Sequence, residues 1–254
     1  MIHAGFLDSR MWDGQFKIFA KSNWVVRYDV RGFGRSSRPS ESYSDADDLF
    51  ELTEYLKIPD ACVLGVSNGG RIALDFVTIH PSRVCGLILV SPGISGYRSS
   101  GPEEDREWEE FEKSESQQNL AIKENRIRDA VKMDLELWAP AQSPKSRAHL
   151  LRIALDNSHV HKNQWWWRSL YRLQESPKPP AFKKLASIRV PTLLIVGDRD
   201  VRGMQLMTKR LHRLIRGSEL RVISGADHLV NSSRPREFNA LVTTFLENLD
   251  HQSA

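Results

Sequence analysis

Five apolar runs stand out along the chain, and most of them are rich in Val, Ile and Leu without a polar residue at every second position. The runs are NWVVRYDV (23–30), ACVLGV (61–66), VCGLILV (84–90), TLLIVG (192–197) and ELRVIS (219–224). Continuous runs of this length are typical of strands that are buried on both faces of a parallel sheet. We therefore predict strands of such a sheet at these places.

Segments with helical periodicity lie between the apolar runs. The first of them, SDADDLFELTEYL, has Ser44 or Asp45 as its N-cap and acidic residues in its first turn, which favours a helix start there. The predicted helices span residues 44–56, 69–80, 204–215 and 234–248. Because strands and helices alternate along the chain, the predicted fold class is α/β, with a mostly parallel central sheet flanked by helices.

One long segment interrupts this alternation. It contains polar helical stretches and the aromatic cluster QWWWRSLYRL, so we predict an inserted helical cap. The predicted domains are a core formed by 1–92 and 186–254 and a cap insertion formed by 93–185. Trp138 and Trp166 are candidates to line a substrate pocket under the cap with apolar surface. The alternative is that these rings only pack the cap against the core.

The composition is typical of one domain with an insertion. At 254 residues and 40% hydrophobic, the chain can bury one substantial core. It has no run of about 18 apolar residues, so we predict no membrane span. The formal net charge of +4 is spread over interleaved basic and acidic residues, so we do not expect nucleic-acid binding. No secretory signal is visible at the N-terminus, which favours the cytoplasm.

The chain has two cysteines, Cys62 and Cys85, and both lie in apolar runs. We predict that both are buried, reduced thiols that act as small hydrophobic side chains. This pattern does not indicate a disulfide framework. No Cys or paired carboxylates accompany the histidines of the insertion at metal-ligand spacing, so no metal site is predicted.

The most informative motif is GVSNGG at residues 65–70, which follows a predicted strand and precedes a helical segment. A G-x-S-x-G sequence in this setting predicts a nucleophile elbow, a sharp strand-to-helix turn with Ser67 exposed at its tip. Glycines flank the serine because larger side chains would clash in so tight a turn. Ser67 is therefore the candidate nucleophile.

Two later strands end in candidate partners for Ser67. The run TLLIVG is followed by Asp198 and Asp200, and the run ELRVIS is followed by GADH, which ends in His228. A serine hydroxyl needs a base to take its proton, and the imidazole of that base needs a carboxylate that fixes its tautomer. We assign His228 as the base and favour Asp200 as the carboxylate. Asp198 is the alternative, although its position at the end of the strand suggests that it caps the following loop.

Three further stretches accompany these motifs, namely HAGFLDSRMW (3–12), YDVRGFGRS (28–36) and HPSRVCGLILVSP (80–92). Together with the elbow, the acid and the histidine, in the chain order Ser, Asp, His, they resemble the α/β-hydrolase superfamily. Within it, the chain is most similar to small capped serine hydrolases of the enol-lactonase, arylesterase and cofactor-free haloperoxidase type. The resemblance covers most of the core and implies an α/β-hydrolase fold that needs no cofactor.

The resemblance also implies how a negatively charged intermediate is held. The first residues of the chain correspond to the H-G-x loop of the family, with Ala4 in place of the usual first glycine. The implied oxyanion hole is formed by the backbone N–H of Asn68 together with that of Gly5 or Phe6. His3 is expected to shape this loop through hydrogen bonds.

A serine at the elbow implies acyl chemistry, because relatives that open epoxides or remove halide carry an aspartate there. The predicted activity is hydrolysis of a small carboxylic ester or lactone through an acyl-serine intermediate at Ser67. C–C bond hydrolysis, acyl transfer and perhydrolysis would use the same residues. A non-catalytic ligand-binding protein is the alternative from another class. The sequence leaves the substrate and the oligomeric state open.

Members of this superfamily usually have two strands and most of a third before the H-G-x loop, whereas here the loop begins at His3. Loss of the third strand would leave unpaired backbone in the middle of the sheet. We therefore expect further native residues to precede Met1. The alternative is that Met1 and Ile2 are the remnant of a strand that is supplied otherwise.

Overall fold

The computed structural model describes residues 1–99, 101–162 and 173–253. In this part of the chain, four parallel strands form one sheet in the order β1 (Ala61–Val66), β2 (Val84–Val90), β3 (Thr192–Gly197) and β4 (Glu219–Ile223). Each of these strands coincides with a predicted one to within one residue. The prediction of an α/β fold with a mostly parallel sheet is confirmed.

Helices connect the strands. In chain order, the described α-helices are α1 (Asp13–Phe19), α2 (Asp45–Tyr55), α3 (Asn68–Ile79), α4 (Pro102–Lys123), α5 (Ile127–Trp138), α6 (Pro144–Asp156), α7 (His159–Lys162), α8 (Arg202–Leu214), α9 (Val230–Ser233) and α10 (Pro235–Ser253). Helices α4 to α7 lie between β2 and β3, in the segment 93–185 that is called the insertion below. Helix α2 begins at its predicted N-cap, because the Ser44 hydroxyl accepts a hydrogen bond from the N–H of Asp47 at 3.2 Å. Of the helices that the structure describes, none is long and apolar enough to cross a membrane.

The sheet buries apolar side chains on both faces, which explains its unbroken apolar runs. Successive side chains of a strand point to opposite faces. In β2, Leu87 and Leu89 therefore join a core with α2, α3 and α8, whereas Ile88 and Val90 join a second core with α1 and α10. Two helical layers thus hold the strands, and the carboxyl ends of the strands meet at one edge of the sheet.

Residues 23–30 form no strand, and the prediction of a strand there is wrong. On the outer side of β1, the described residues form one isolated parallel bridge, between Ile2 and Gly65. An apolar cavity of about 480 Å³ is lined both by this segment, including Val26, and by β1, including Val63. A strand needs a neighbouring strand with which to form a ladder of backbone hydrogen bonds, and no described strand lies beside this segment. The terminal amino group of Met1 donates to the carbonyl of Val26 at 2.7 Å, but this bond is not continued as a ladder.

Cys85 is exposed and Cys62 is only partly buried, so the prediction that both cysteines are buried is wrong. The register between β1 and β2 shifts beside it, because Ala61 pairs with Val84 and Cys62 pairs with Gly86. The ladder therefore skips Cys85, and a bulge of this kind re-aims the side chain of the skipped residue. Desolvation raises the pKa of the Cys62 thiol to about 12.

Asp134 of α5 is a buried carboxyl group that makes stability depend on pH. Burial raises its pKa from 3.8 to about 7, and a hydrogen bond from the Gln118 side chain only partly opposes this effect. The folded protein therefore keeps a proton that the unfolded chain has already lost between these two values. The free energy of unfolding consequently falls as the pH rises through that window. The difference corresponds to a contribution on the order of 4 kcal/mol.

We expect Asp134→Asn to gain stability relative to the parent protein as the pH rises from about 5 to about 8, because the amide does not ionise. Urea unfolding of both proteins at the two pH values measures the change. The difference between variant and parent isolates this group from the other titrating side chains. A difference that stays constant with pH would contradict the prediction.

Candidate active site

Ser67 occupies the turn between β1 and α3. Its backbone has a φ of 55° and a ψ of −115°, a conformation that residues with a side chain rarely adopt. Its N–H donates to the carbonyl of Val90 at 2.9 Å, and its own carbonyl accepts from the N–H of Gly93 at 2.9 Å. The end of β2 and the loop after it thus hold this strained turn in place.

Two glycines near Ser67 are required by close approaches of the backbone. A methyl group added at Gly65 would lie 2.1 Å from the carbonyl oxygen of Gly69. One added at Gly69 would lie 2.4 Å from the carbonyl oxygen of Ile2. Both distances are far shorter than van der Waals contact. The G-x-S-x-G spacing therefore has the steric origin that its sequence indicates.

His228 and Asp200 are joined by a buried hydrogen bond. Asp200 follows β3 and His228 follows β4, so both lie at the edge of the sheet where Ser67 follows β1. Nδ1 of His228 lies 3.0 Å from Oδ1 and 3.1 Å from Oδ2 of Asp200. Because an ionised carboxylate only accepts hydrogen bonds, this contact assigns the proton of the neutral imidazole to Nδ1. Nε2 then keeps its lone pair and is available as a base.

Asp198 makes different contacts, although it lies only two residues from Asp200. Its Oδ1 accepts from the N–H of Gly225 at 2.6 Å, and its Oδ2 accepts from the hydroxyl of Ser224 at 3.0 Å. Both donors belong to the loop after β4. Asp198 therefore holds the loop after β4, whereas the sequence suggested that it caps the loop after its own strand. Asp200 is the carboxylate on His228.

His3 is buried and holds the first loop of the chain. Its Nδ1 lies 2.8 Å from the carbonyl oxygen of Ala4, and its Nε2 accepts from the N–H of Val30 at 2.8 Å. Since Nε2 accepts, Nδ1 carries the proton and donates to Ala4. Burial lowers the pKa of His3, which favours this neutral form. These bonds agree with the expectation that His3 shapes the loop.

The loop after His3 passes next to the start of α3. A side-chain carbon added at Gly5 would lie 3.5 Å from Cβ of Asn68, the first residue of that helix. The first N–H groups of a helix have no partner within it and are suited to bind negative charge. Phe6 is partly buried against the second core. The oxyanion-hole assignment to Asn68 with Gly5 or Phe6 stays a prediction, and this proximity supports it.

Trp138, the last residue of α5, lies against His228. The two rings have centroids 4.5 Å apart and planes inclined by 45°. Helix α5 of the insertion therefore places one candidate pocket residue, Trp138, in contact with the candidate base. Trp166 and its neighbours Trp165 and Trp167 lie outside the described residues.

The sequence analysis missed Arg71, which lies one turn after the elbow in α3. Its Nε donates to Oδ1 of Asn68 at 2.8 Å. Its guanidinium also pairs with Asp75, at 3.0 Å, and with Asp45 of α2. Burial raises the pKa of both carboxyl groups, whereas the positive charge of Arg71 opposes this effect. The i, i+4 spacing of Arg71 and Asp75 was a signal for the pair, but exposed pairs on helices show the same spacing.

Comparison with known proteins identifies the family. The sequence model of the Alpha/beta hydrolase family matches residues 1–241. The solved structure of Est816, described as an N-acyl homoserine lactone degrading enzyme, is 29% identical to this chain. Its TM-score is 0.72, and the match covers 96% of this chain and 91% of that one.

Curated relatives agree with this result. Monoacylglycerol lipase ABHD6 of Mus musculus is 25% identical, and the match covers 98% of this chain and 75% of the relative. The 3-oxoadipate enol-lactonase 1 of Acinetobacter baylyi (strain ATCC 33305 / BD413 / ADP1) is 22% identical, with 95% of this chain and 85% of the relative covered. The predicted class, an α/β-fold hydrolase, is confirmed. Since the family match extends over nearly the whole sequence, the chain belongs to the α/β-hydrolase family.

Proposed function

We propose that the protein is a serine hydrolase that cleaves a carboxylic ester or a lactone through an acyl-enzyme intermediate on Ser67. The observation that carries the proposal is the buried hydrogen bond between His228 and Asp200 at the same sheet edge as the strained Ser67 turn. A protein that only bound a ligand would have no need for a base oriented by a carboxylate beside an elbow serine. The known lactone- and ester-directed relatives support the same substrate class.

In the first half of the reaction, the Ser67 hydroxyl oxygen attacks the carbonyl carbon of the substrate. Its proton passes to Nε2 of His228, and the resulting imidazolium is stabilised by Asp200 at Nδ1. The tetrahedral oxyanion accepts hydrogen bonds from the N–H of Asn68 and from that of Gly5 or Phe6. Loss of one such donor costs about 10² to 10³ in rate in comparable enzymes.

Collapse of the tetrahedral intermediate breaks the bond between the carbonyl carbon and the alcohol oxygen. His228 returns its proton to this oxygen, which leaves an ester of Ser67. A simple ester releases its alcohol at this step, whereas a lactone stays attached as a hydroxyacyl group, because both ends belong to one molecule. Water then attacks the acyl group, with His228 again taking and returning the proton, and Ser67 is restored.

The insertion supplies the roof of the site in this proposal. Trp138 already lies against His228, so an acyl or alkoxy group at Ser67 would meet an apolar ring beside the base. The division into a core and a cap insertion 93–185 is proposed on the same ground. The location of the protein in the cytoplasm stays a prediction.

A covalent label tests the proposal. Diethyl p-nitrophenyl phosphate has one good leaving group, so attack by a serine oxygen releases one p-nitrophenolate and leaves a stable diethylphosphoryl group. We expect one p-nitrophenolate per protein chain and a phosphorylated peptide that contains Ser67, because activated serines react in this way.

Ser91 offers a matched control. It follows β2 as Ser67 follows β1, and it also has a positive φ, of 42°, but it is fully buried. Ser91→Ala should be labelled as the parent protein is. A label on any other residue, or a folded protein that takes up none, would refute the proposal.

A further inference from the structure

Asp227 is a buried carboxyl group directly before His228, and the proposed chemistry gives it no role. It is not the carboxylate on the imidazole, since Nδ1 of His228 is bonded to Asp200. Burial raises the pKa of Asp227, against the effect of hydrogen bonds from the backbone of Ala141 and the side chain of Gln142. Burial of a carboxylate costs free energy unless the carboxylate accepts enough hydrogen bonds. The groups that donate to Asp227 therefore indicate what this residue does in the structure.

These partners join two distant parts of the chain. The N–H of Ala141 donates to Oδ2 of Asp227 at 2.9 Å. The side-chain amide of Gln142 donates to Oδ1 at 2.9 Å and to Oδ2 at 3.0 Å. On the other side of His228, the N–H of Leu229 donates to Oδ1 at 3.0 Å. One carboxylate thus bonds both to the loop that carries His228 and to the chain after α5. The bonds of Asp227 to Ala141 and Gln142 are called the Asp227 clasp below.

The clasp lies three residues from the ring that contacts His228. Helix α5 ends at Trp138, and the next residue, Ala139, is buried with its N–H bonded to the carbonyl of Leu135 at 3.0 Å. Few freely rotating bonds therefore separate the Trp138 ring from the clasp. The hydrogen bonds of the clasp therefore fix not only Ala141 but also the end of α5. In this way they fix the position of the Trp138 ring relative to the imidazole of His228.

The insertion has a second anchor on the core that does not involve this contact. Asn157, after α6, donates from Nδ2 to Oδ2 of Asp8 at 2.7 Å. Its Oδ1 accepts from the N–H of Gly34 at 2.7 Å. A weakened clasp would therefore leave the insertion attached and would mainly release the end of α5.

We propose that Asp227 is a positioning residue, which acts through Ala141 and the end of α5 to hold Trp138 against His228. The proposal rests on the proposed function, in which His228 is the base. Asp200 fixes one edge of the imidazole, and the Trp138 ring contacts it at a centroid distance of 4.5 Å, so together they set the direction of Nε2. A displacement of a catalytic group by about 1 Å can lower the rate by about 10². Support for the orientation of His228 can therefore outweigh the free-energy cost of burying the Asp227 carboxylate.

The Asp227→Asn variant tests the clasp by turning one acceptor oxygen into an NH₂ group. This group would face an N–H donor, so the clasp loses hydrogen bonds. We expect kcat for p-nitrophenyl acetate to fall on the order of tenfold with KM changed less than about twofold, because the imidazole orientation matters in the transition state. Gln142→Glu, which places two carboxylates together, should give the same pattern.

Rescue separates positioning from general damage. In the double variant with Asp227→Asn and Gln142→Glu, the new amide NH₂ group can donate to the carboxylate at position 142 while the remaining oxygen still accepts from the N–H of Ala141. The clasp is restored and only the bond from the N–H of Leu229 stays lost, so this variant should recover part of the kcat that each single variant loses. Asp134→Asn is the matched control. It makes the same chemical change at a buried carboxyl group of α5, one turn before Trp138, and should leave kcat unchanged.

An NMR measurement reads the contact without any turnover. The imidazole proton signals of His228 sense the neighbouring aromatic ring, and a Trp138→Ala variant shows where they move without it. We expect Asp227→Asn to shift these signals towards their positions in Trp138→Ala, the double variant to return them, and Asp134→Asn to leave them in place.

Shifted signals together with a rescued loss of kcat would support the proposal. Unchanged His228 signals in Asp227→Asn would overturn it, whatever the activity. A loss of kcat that the double variant does not recover would overturn it as well, because it would indicate damage to the fold. If the parent protein cleaves neither p-nitrophenyl esters nor lactones, the proposed function fails, and the NMR comparison alone then supports or overturns the clasp.

Discussion

Replacement of Ser67 by alanine is expected to lower kcat for p-nitrophenyl esters by a factor on the order of 10⁵ to 10⁶. Loss of the nucleophile in a serine hydrolase has an effect of this size, since the remaining site offers only binding and oxyanion contacts. The oxygen of Ser67 forms the acyl bond in the proposed mechanism, whereas Ser91, which also follows a strand with a positive φ, is fully buried. The burst of p-nitrophenol that reports acyl-enzyme formation should vanish with turnover.

The measurement is a series of p-nitrophenyl esters, from acetate to decanoate, with parent and variant side by side. A φ of 55° strains the backbone of alanine about as much as that of serine, because both residues have a Cβ atom. The free energy of unfolding of the variant should therefore stay close to that of the parent. Urea unfolding verifies this. A folded Ser67→Ala variant that retains the parent rate would disprove acyl-serine chemistry. In the parent protein, the ester length with the highest kcat/KM indicates the length of the acyl group that the pocket accepts.

Strands that are buried on both faces could be predicted from the sequence, because both faces then carry apolar side chains. Strands β1 to β3 are almost entirely buried and appear as unbroken apolar runs, so local composition was sufficient. The segment 23–30 is also rich in apolar residues, although it contains Asn23, Arg27 and Asp29, and it forms no strand. Pairing depends on a neighbour in space, and no local pattern reports whether that neighbour is present.

The positions of Ser67, Asp200 and His228 were predictable for a related reason. Each lies in the turn or loop that follows a strand, and parallel strands bring their carboxyl ends to one edge, so sequence order alone placed them at the same edge of the sheet. The choice between Asp198 and Asp200 was less secure, because both follow β3. It depended on which carboxylate reaches the loop after β4 and which reaches the imidazole, and only the three-dimensional structure measures that.

The contacts of the residues around Ser67 and His228 could not be predicted from the sequence. Arg71 and Asp75 have the spacing of an ordinary exposed ion pair, and only the structure shows that this pair is largely buried and that Arg71 donates to Asn68. Trp138 was predicted as a pocket residue or a packing residue, but its contact with His228 arises where α5 meets the loop after β4. Such contacts join residues far apart in the chain, so periodicity cannot report them.

The second large effect is expected from Asp200→Ala, which should lower kcat by a factor on the order of 10⁴. The carboxylate accepts the proton of Nδ1 and stabilises the imidazolium that forms when His228 takes the proton of Ser67. Without it, the imidazole can adopt the tautomer with its proton on Nε2, which cannot act as a base. Steady-state kinetics with the best p-nitrophenyl ester measures the loss.

Asp198→Ala is the matched control, because it makes the same truncation two residues away in the same turn. Its carboxylate holds the N–H of Gly225 and the hydroxyl of Ser224, so its loss should lower the free energy of unfolding by about 1–3 kcal/mol. Its kcat should stay within a few-fold of the parent value, because the imidazole keeps its carboxylate. If Asp198→Ala instead loses the factor of about 10⁴ while Asp200→Ala remains active, the two roles are exchanged, and the loop after β4 must rearrange in solution to bring His228 to Asp198.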